Sequence, residues 1–247
     1  MKKSNDLRAL KLEKLKLLEQ KYEYLKRNKI KRLFPEDGPL SRYEYKKHME
    51  FFRSGAEYRE RLLIAANRVG KTVGGGYETT LHLTGLYPDW WEGRRFNHSI
   101  SAWASGDTGE TTRDIVQLEL LGPFDDIGTG LIPGDLIEGY TRRHGIPDAI
   151  QSAGIKHVDG TISKIGLKSY DQKRKSFQGT AKEVIWLDEE CSMEIYTECL
   201  LRTMTTEGLM ILTFTPLLGI SDVVKAFLPG GKLEGNHEEE IKQKAVI

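Results

Sequence analysis

Apolar residues along this chain fall into two rhythms. Arg61–Ala66, Ser99–Ala104, Ile162–Ser169, Val184–Leu187 and Leu209–Phe214 are apolar or alternating runs of strand length. Between them, apolar residues recur every three or four positions. Asn5 to Arg32 reads as one helix with Leu7, Leu10, Leu15 and Leu18 on a stripe. Ser41-Arg42-Tyr43-Glu44 reads as a capping box opening a helix to about Ser54, with Gly55 as its stop. A helix begins near Lys71 and contains Gly74-Gly75-Gly76. Each glycine inside a helix costs up to ~1 kcal/mol relative to alanine, so this triplet predicts close approach to a strand or a ligand. Asp107-Thr108-Gly109-Glu110 caps a helix to about Leu121. Gly122–Gly160 has no clear period and is expected to be loops. Strands alternating with helices predict an α/β fold, a mostly parallel sheet with helices on both faces. Ligands then bind at the carboxyl ends of the strands.

The 247 residues allow one large α/β domain with extensions: a basic helical arm over 1–33 and a core over 34–230. The arm is expected to pack on the domain or a neighbouring subunit, or to reach DNA or a partner. No apolar run approaches membrane-span length, and no signal peptide follows the basic N-terminus, so a cytoplasmic setting is expected. Cys191 and Cys199, eight apart in one expected helix, read as reduced structural thiols. A net charge of +1 marks no obvious nucleic-acid binder, but Met1–Leu33 is basic while 234–240 is acidic. Any DNA contact must then come from a local patch. Lys244-Ala245-Val246-Ile247 looks like the start of a strand.

Candidate chemistry sits where strands end. Ala65-Ala66-Asn67-Arg68-Val69-Gly70-Lys71-Thr72 joins a strand to a helix N-terminus, where loop N–H groups and the helix dipole favour an anion. Lys71 would reach the β- and γ-phosphates of a nucleoside triphosphate, and the Thr72 hydroxyl would ligate Mg²⁺. Alanine at position 65 stands where this loop pattern usually has glycine. Arg68 is placed to neutralise charge on the γ-phosphate, or is a solvated loop arginine. Val184–Leu187 ends in Asp188-Glu189-Glu190. Asp188 is expected to partner Thr72 in holding Mg²⁺, and Glu189 to orient or deprotonate water. Glu190 is a candidate cap for the next helix. Leu209–Phe214 runs into Thr215-Pro216, so Thr213 and Thr215 are candidates for sensing the γ-phosphate. His48, on the helix before the loop, is a candidate adenine neighbour. Lys173-Arg174-Lys175 forms a basic turn that could meet DNA or a neighbour's nucleotide.

These segments together resemble the ATPase domain of the large terminase subunit of tailed bacteriophages. The resemblance runs from about Ser41 to Leu228. It is carried by Tyr58–Arg61 leading into Ala65–Thr72, by His82–Pro88, Phe177–Thr180 and Asp188-Glu189-Glu190, and by Leu212–Leu217 with Gly219–Val224. It implies a motor that drives double-stranded DNA into a procapsid, with Mg²⁺ and ATP. It implies a homo-oligomeric ring, often pentameric, docked on the portal protein in the host cytoplasm, and a small terminase subunit as partner. By resemblance Lys71 and Thr72 bind triphosphate and Mg²⁺, Asp188 partners the metal, Glu189 is catalytic, and Thr213–Pro216 couples hydrolysis to motion. Two departures stand out: Ala65 replaces glycine, and His48 stands where a glutamine often contacts adenine. Residues 231–247 would begin a linker to a C-terminal nuclease domain. No acidic cluster of the nuclease kind follows residue 228, so nuclease activity is not expected of this chain. Arg142 and Arg143, expected on a mobile loop, are candidates for acting on a neighbour's ATP. Two other classes share parts of the pattern. A helicase or remodeller would need a second motor domain, and a nucleotide-ordered scaffold would not need the Asp188-Glu189 pair.

Overall fold

The computed structural model describes residues 2–216, 219–228 and 244–247, with side chains from Leu10 onward. Helix α1 spans Lys2–Lys26, α2 Lys46–Ser54 and α3 Lys71–Thr84. Gly109–Thr111 (α4) widens into a π-helical stretch over Thr112–Gln117 and returns to α over Leu118–Leu121 (α5). Helices α6 and α7 span Met193–Met204 and Asp222–Phe227. The strands are β1 Glu60–Ile64, β2 Ser101–Gly106, β3 Ile137–Arg142, β4 Ile150–Lys156, β5 Ile162–Ser169, β6 Val184–Asp188, β7 Leu209–Phe214 and β8 Lys244–Val246.

They form one sheet in the order β3-β4-β5-β2-β6-β7-β1-β8. The β3-β4-β5 edge is antiparallel and the rest is parallel. Alternation along each strand sorts side chains to two faces. Leu63, Ala102, Ala104, Val184, Trp186, Leu209 and Ile211 face α3 and α5 in one buried cluster. Leu62, Trp103, Ile185, Leu187, Met210 and Leu212 face α6 and α7 in the other. The α/β architecture read from the sequence is therefore present, and β5, β6 and β7 start where the pattern places them.

Several expectations are corrected. The first helix ends at Lys26 and gives way to a short 3₁₀ turn at Lys29–Arg32. Asn28 turns its amide back onto the Tyr24 carbonyl at 2.9 Å, satisfying a helix-terminal acceptor. The arm does not pack its stripe on the domain: Leu10, Leu15 and Leu18 are all more than half exposed. The Ser41 capping box opens no helix. Ser41 Oγ donates to the Glu36 carbonyl inside a turn, and α2 starts at Lys46, ending before Gly55 as expected.

The region 122–160 holds the hairpin β3-β4, hidden in the sequence because β3 is solvent-facing along its length and bulged twice. Cys191 lies outside α6, and only Cys199 is in it; both are free and buried, and burial pushes both thiol pKa values up. The cap of α6 is Ser192 rather than Glu190, its hydroxyl accepting from the Ile195 N–H. The strand foreseen at Lys244 exists, but it moves the boundary drawn at residue 230. β8 pairs with β1, and Lys244 Nζ lies 3.2 Å from the buried Glu60 carboxylate and 2.8 Å from the Tyr196 hydroxyl. Lys244–Ile247 is thus part of this sheet, and the intervening 229–243 lies outside the described residues.

The three glycines of α3 have a packing reason. A Cβ on Gly75 would sit 2.3 Å from Trp186 Nε1, so α3 rests directly on the β6 indole. The close approach expected from the sequence is met by a side chain of the strand.

Candidate nucleotide site

Neighbouring strands β6, β7 and β1 end side by side, which brings Asp188, Thr213, Thr215 and the 65–72 loop together from distant parts of the chain. Asp188 shares a sheet face with Trp186, two residues earlier, and so points toward α3. There the Thr72 hydroxyl lies 3.1 Å from each Asp188 oxygen. In the ladder Asp188 is opposite Thr213, whose hydroxyl donates to Asp188 Oδ1 at 2.7 Å. Trp186 Nε1 in turn donates to the Thr213 hydroxyl at 2.8 Å. Asp188 is 2% exposed. Burial pushes its pKa up to about 7; hydrogen bonds from Thr213 and Thr72 and the Lys71 charge pull the other way.

Lys71 begins α3 behind Gly70, which takes the left-handed conformation (φ 87°) that glycine adopts without cost. Its ammonium donates to the Ala66 carbonyl and to Thr215 Oγ1, both at 2.8 Å. Burial lowers its pKa, and the Glu189 and Asp188 charges oppose that. Thr215 Oγ1 also lies 2.8 Å from the Ala65 carbonyl and 2.9 Å from Asn67 Oδ1, and gives its one proton to either. The end of β7 is therefore hydrogen-bonded to both ends of the loop that would cradle phosphate.

Two residues here hold φ values that side chains rarely adopt, Arg68 (66°) and Glu189 (66°). Such strain collects at functional sites. Glu189 is anchored by its backbone: its N–H donates to the Thr213 carbonyl at 3.0 Å, and its carbonyl accepts from Tyr170 Oη at 3.2 Å. The carboxylate is left exposed in a cleft of about 670 Å³ lined also by Asp107, Thr111, Glu190, Ser192 and Thr215. Arg68 is exposed at the crest of the loop, beside Ala66, Asn67 and Val69.

Three further candidates have contacts of their own. His48 is buried under the loop, its Nε2 3.1 Å from the Gly70 carbonyl. Arg142 and Arg143 are not on a mobile loop. Arg142 ends β3 with its guanidinium 4.6 Å over Phe124, and Arg143 donates to Ser169 Oγ at 2.8 Å. Lys173–Lys175 is a turn after β5; there Arg174 pairs with Glu198 of α6 at 2.9 Å. Sequence reasoning missed Tyr170 and Trp186, whose polar atoms hold the Asp188-Glu189 backbone and Thr213. Nothing in their local pattern separates them from ordinary core aromatics.

A lysine and a threonine opening a helix, facing a buried aspartate on the next-but-one strand, define the class as a P-loop nucleotide-binding fold. The family model "Terminase large subunit, T4likevirus-type, N-terminal" matches residues 62–246. The chain belongs to that terminase large subunit family. It is 34% identical over 237 residues to "Terminase, large subunit" of Salmonella phage P22, covering 88% of this chain and 46% of that protein. The chain thus spans about half the length of this curated relative. The fold also resembles the large terminase ATPase domain of Thermus phage P74-26, with TM-score 0.50 and 15% identity over 80% of this chain and 76% of that one.

Proposed function

We propose that this chain is the ATP-hydrolysing motor domain of a large terminase, driving double-stranded viral DNA through a portal into a procapsid. The observation that carries this reading is the Thr72-Asp188-Thr213 cluster facing Lys71 and a cleft that exposes Glu189. The relative of similar sequence is a whole large terminase, so the activity and partners of that longer protein are part of the proposal.

In this reading the 65–72 loop and the N-terminus of α3 receive the β- and γ-phosphates, and Lys71 leaves Ala66 and Thr215 to meet them. The Thr72 hydroxyl and the Asp188 carboxylate are hard oxygen donors that suit Mg²⁺, which takes few protein ligands and completes its shell with phosphate and water. Mg²⁺ held there would supply positive charge against the charge that develops on the phosphates. Glu189 accepts the proton of the attacking water or orients it from the open cleft. Arg68 lies at the loop crest, placed to stabilise the γ-phosphate charge. When Lys71 turns to phosphate, Thr215 loses one partner, and the end of β7 gains a means to report the nucleotide state. Duplex DNA, the portal, a small terminase subunit and a ring of copies of this chain are the proposed partners.

The test is phosphate release by the wild-type chain and its Lys71→Ala and Glu189→Gln variants, with and without duplex DNA. Both variants should lose turnover about a hundredfold or more, and Glu189→Gln should still bind ATP. Normal turnover in Glu189→Gln removes the proposed catalytic role.

A further inference from the structure

We propose that His48 is a positioning residue, a strut that fixes the phosphate loop from below, rather than a reader of the nucleobase. The inference rests on the nucleotide reading above.

The Gly70 carbonyl has two lone pairs, and both are used. One accepts the Gly74 N–H at 2.9 Å and closes the first turn of α3. The other faces His48 Nε2 at 3.1 Å. A carbonyl only accepts, so Nε2 carries the hydrogen in this bond. The first turn of α3 is therefore held twice at one oxygen, once by its own helix and once by α2. Lys71 and Thr72 are the next two residues, so their aim at phosphate and metal depends on how that turn is set.

Glycine alone would not set it. Gly70 has no Cβ and sits in the left-handed region, where it is free to swing. The surrounding sequence makes room for the restraint. A Cβ on Gly70 would lie 3.4 Å from His48 Nε2, and one on Gly74 would lie 3.0 Å from Cδ2. Two glycines one helical turn apart thus leave the slot that the imidazole fills. From the other side the ring is wedged by aromatic neighbours: Tyr45 edge-on at 5.5 Å, Phe34 at 5.8 Å and Phe52 at 6.4 Å. Burial holds the His48 pKa below the ordinary histidine value, which favours a neutral ring with a single N–H.

A base reader needs a polar edge turned toward the base. The single N–H of His48 is committed to the loop. The ring lines a cleft of about 520 Å³ together with Glu44, Lys46, Lys47 and Arg68, and it has no donor left to offer there. Lys47 pairs with Glu50 at 2.8 Å, and the exposed Glu44, Lys46 and Arg68 are left to offer polar ends to a base or ribose.

The discriminating probe is inorganic tripolyphosphate, which has the phosphates and no base. Affinities of the chain for Mg²⁺-ATP, Mg²⁺-GTP and Mg²⁺-tripolyphosphate would be measured by calorimetry, beside the melting temperature without ligand. His48→Asn is too short to reach Gly70, whereas His48→Gln places an N–H near the Nε2 position. Gly74→Ala pushes the ring from the other side and leaves His48 intact, so it serves if His48→Asn does not fold. Expected is a common loss of about three- to tenfold for all three ligands in His48→Asn and in Gly74→Ala. The ATP:GTP ratio should stay unchanged, and His48→Gln should recover most of the loss. A loss confined to ATP with tripolyphosphate untouched overturns the strut in favour of base reading. Wild-type affinity for all three ligands in His48→Asn overturns it as well. A wild-type chain that binds neither ATP nor tripolyphosphate overturns the nucleotide reading itself.

Discussion

Trp186 links the packing of the domain to the buried Asp188 carboxylate. Its indole supports Gly75 of α3 on one side and donates to Thr213 on the other, and Thr213 donates to Asp188. Gly75→Ala would place a methyl 2.3 Å from the indole nitrogen, which cannot be absorbed without moving α3 or the ring. Overpacking of this kind costs about 1–3 kcal/mol. The expected outcome is a lower melting temperature together with weaker Mg²⁺-ATP binding. Trp186→Phe removes the Thr213 donor but keeps most of the volume, so it should weaken Mg²⁺-ATP with a smaller thermal shift. Titration calorimetry and a melting curve on both variants check this, and unchanged Mg²⁺-ATP affinity in both counts against the chain of contacts. At this scale the grouping was legible where chemistry needs a particular side chain: Lys71, Thr72, Asp188 and Glu189 were singled out by their identity, and the fold brings them together. The role of Trp186 was not legible, because a tryptophan in an apolar strand reads as core, and only the register with Thr213 reveals its partner. The place of His48 beside the loop was legible but its contact was not, since the Gly70 carbonyl is a backbone atom.

The elements around the loop are joined by a buried polar network. Arg61 of β1 forms two hydrogen bonds to Glu78 of α3, at 2.7 and 2.9 Å, and a third to the Phe51 carbonyl of α2 at 2.9 Å. His82, one turn further along α3, lies 3.1 Å from Glu78 through Nε2 and 2.9 Å from the Tyr87 hydroxyl through Nδ1. Arg61, Glu78 and His82 are all fully buried. Removing one member of such a group leaves an uncompensated charge, so Glu78→Gln should cost about 3–5 kcal/mol, roughly 10 °C in melting temperature. The pH dependence follows from the same atoms. Burial lowers the His82 pKa, with Glu78 opposing. Burial works against the Glu78 carboxylate, but Arg61 and His82 outweigh it and its pKa ends below the ordinary value. Both groups thus bind protons more weakly folded than unfolded. Their stabilisation is full above about pH 6.5, the unfolded histidine value. It is lost stepwise as pH falls, first through His82 and then below the ordinary glutamate value. The His82 and Glu78 contribution to the urea midpoint should fall from pH 8 to 6 to 5, so His82→Gln should flatten the profile relative to wild type, leaving the parts from His48, of the same sign, and Asp188, of the opposite sign. A His82→Gln profile that matches wild type between pH 8 and 5 contradicts this account. The α1 arm is the opposite case. It is tied to the domain near its end by Lys26 and Arg27 to Asp126, beside Lys29 to Glu119. Deleting residues 1–25 should therefore barely move the melting temperature, because exposed ion pairs contribute under about 1 kcal/mol each. The apolar stripe made α1 visible in the sequence; that Leu10, Leu15 and Leu18 stay uncovered among the described residues was not, because periodicity reports a face and not what covers it.

At the scale of the whole molecule, the order of the strands decides which residues meet and which stay apart. Strands β6, β7 and β1 are neighbours, so segments more than a hundred residues apart share one site. The apolar runs made the strands other than β3 and β4 legible, but their order was not, since crossovers are set by which helix covers which face. The same order puts β3 at the far edge, six strand spacings or ~29 Å from β1. That bears on the proposed action of Arg142 or Arg143 on a neighbouring subunit. Arg143 is half-buried and tied to Ser169, and it packs over Gly109, so it serves its own fold. Arg142 is exposed at the sheet edge with one face of its guanidinium on Phe124. An arginine resting on an aromatic ring keeps its N–H groups free for an incoming phosphate. Of the two, Arg142 is therefore placed to reach another copy. In motors assembled on portal and procapsid, Arg142→Ala should lower DNA-stimulated turnover about tenfold or more without changing ATP affinity of the free chain. Arg143→Ala should instead lower the melting temperature. Mixing Arg142→Ala subunits with Glu189→Gln subunits separates the two sides of the interface: if Arg142 acts in trans, a Glu189→Gln neighbour lends its arginine to the intact Glu189 of an Arg142→Ala subunit, and mixed rings regain activity that neither variant has alone. Mixed rings no more active than the two variants alone mean that each subunit supplies its own arginine.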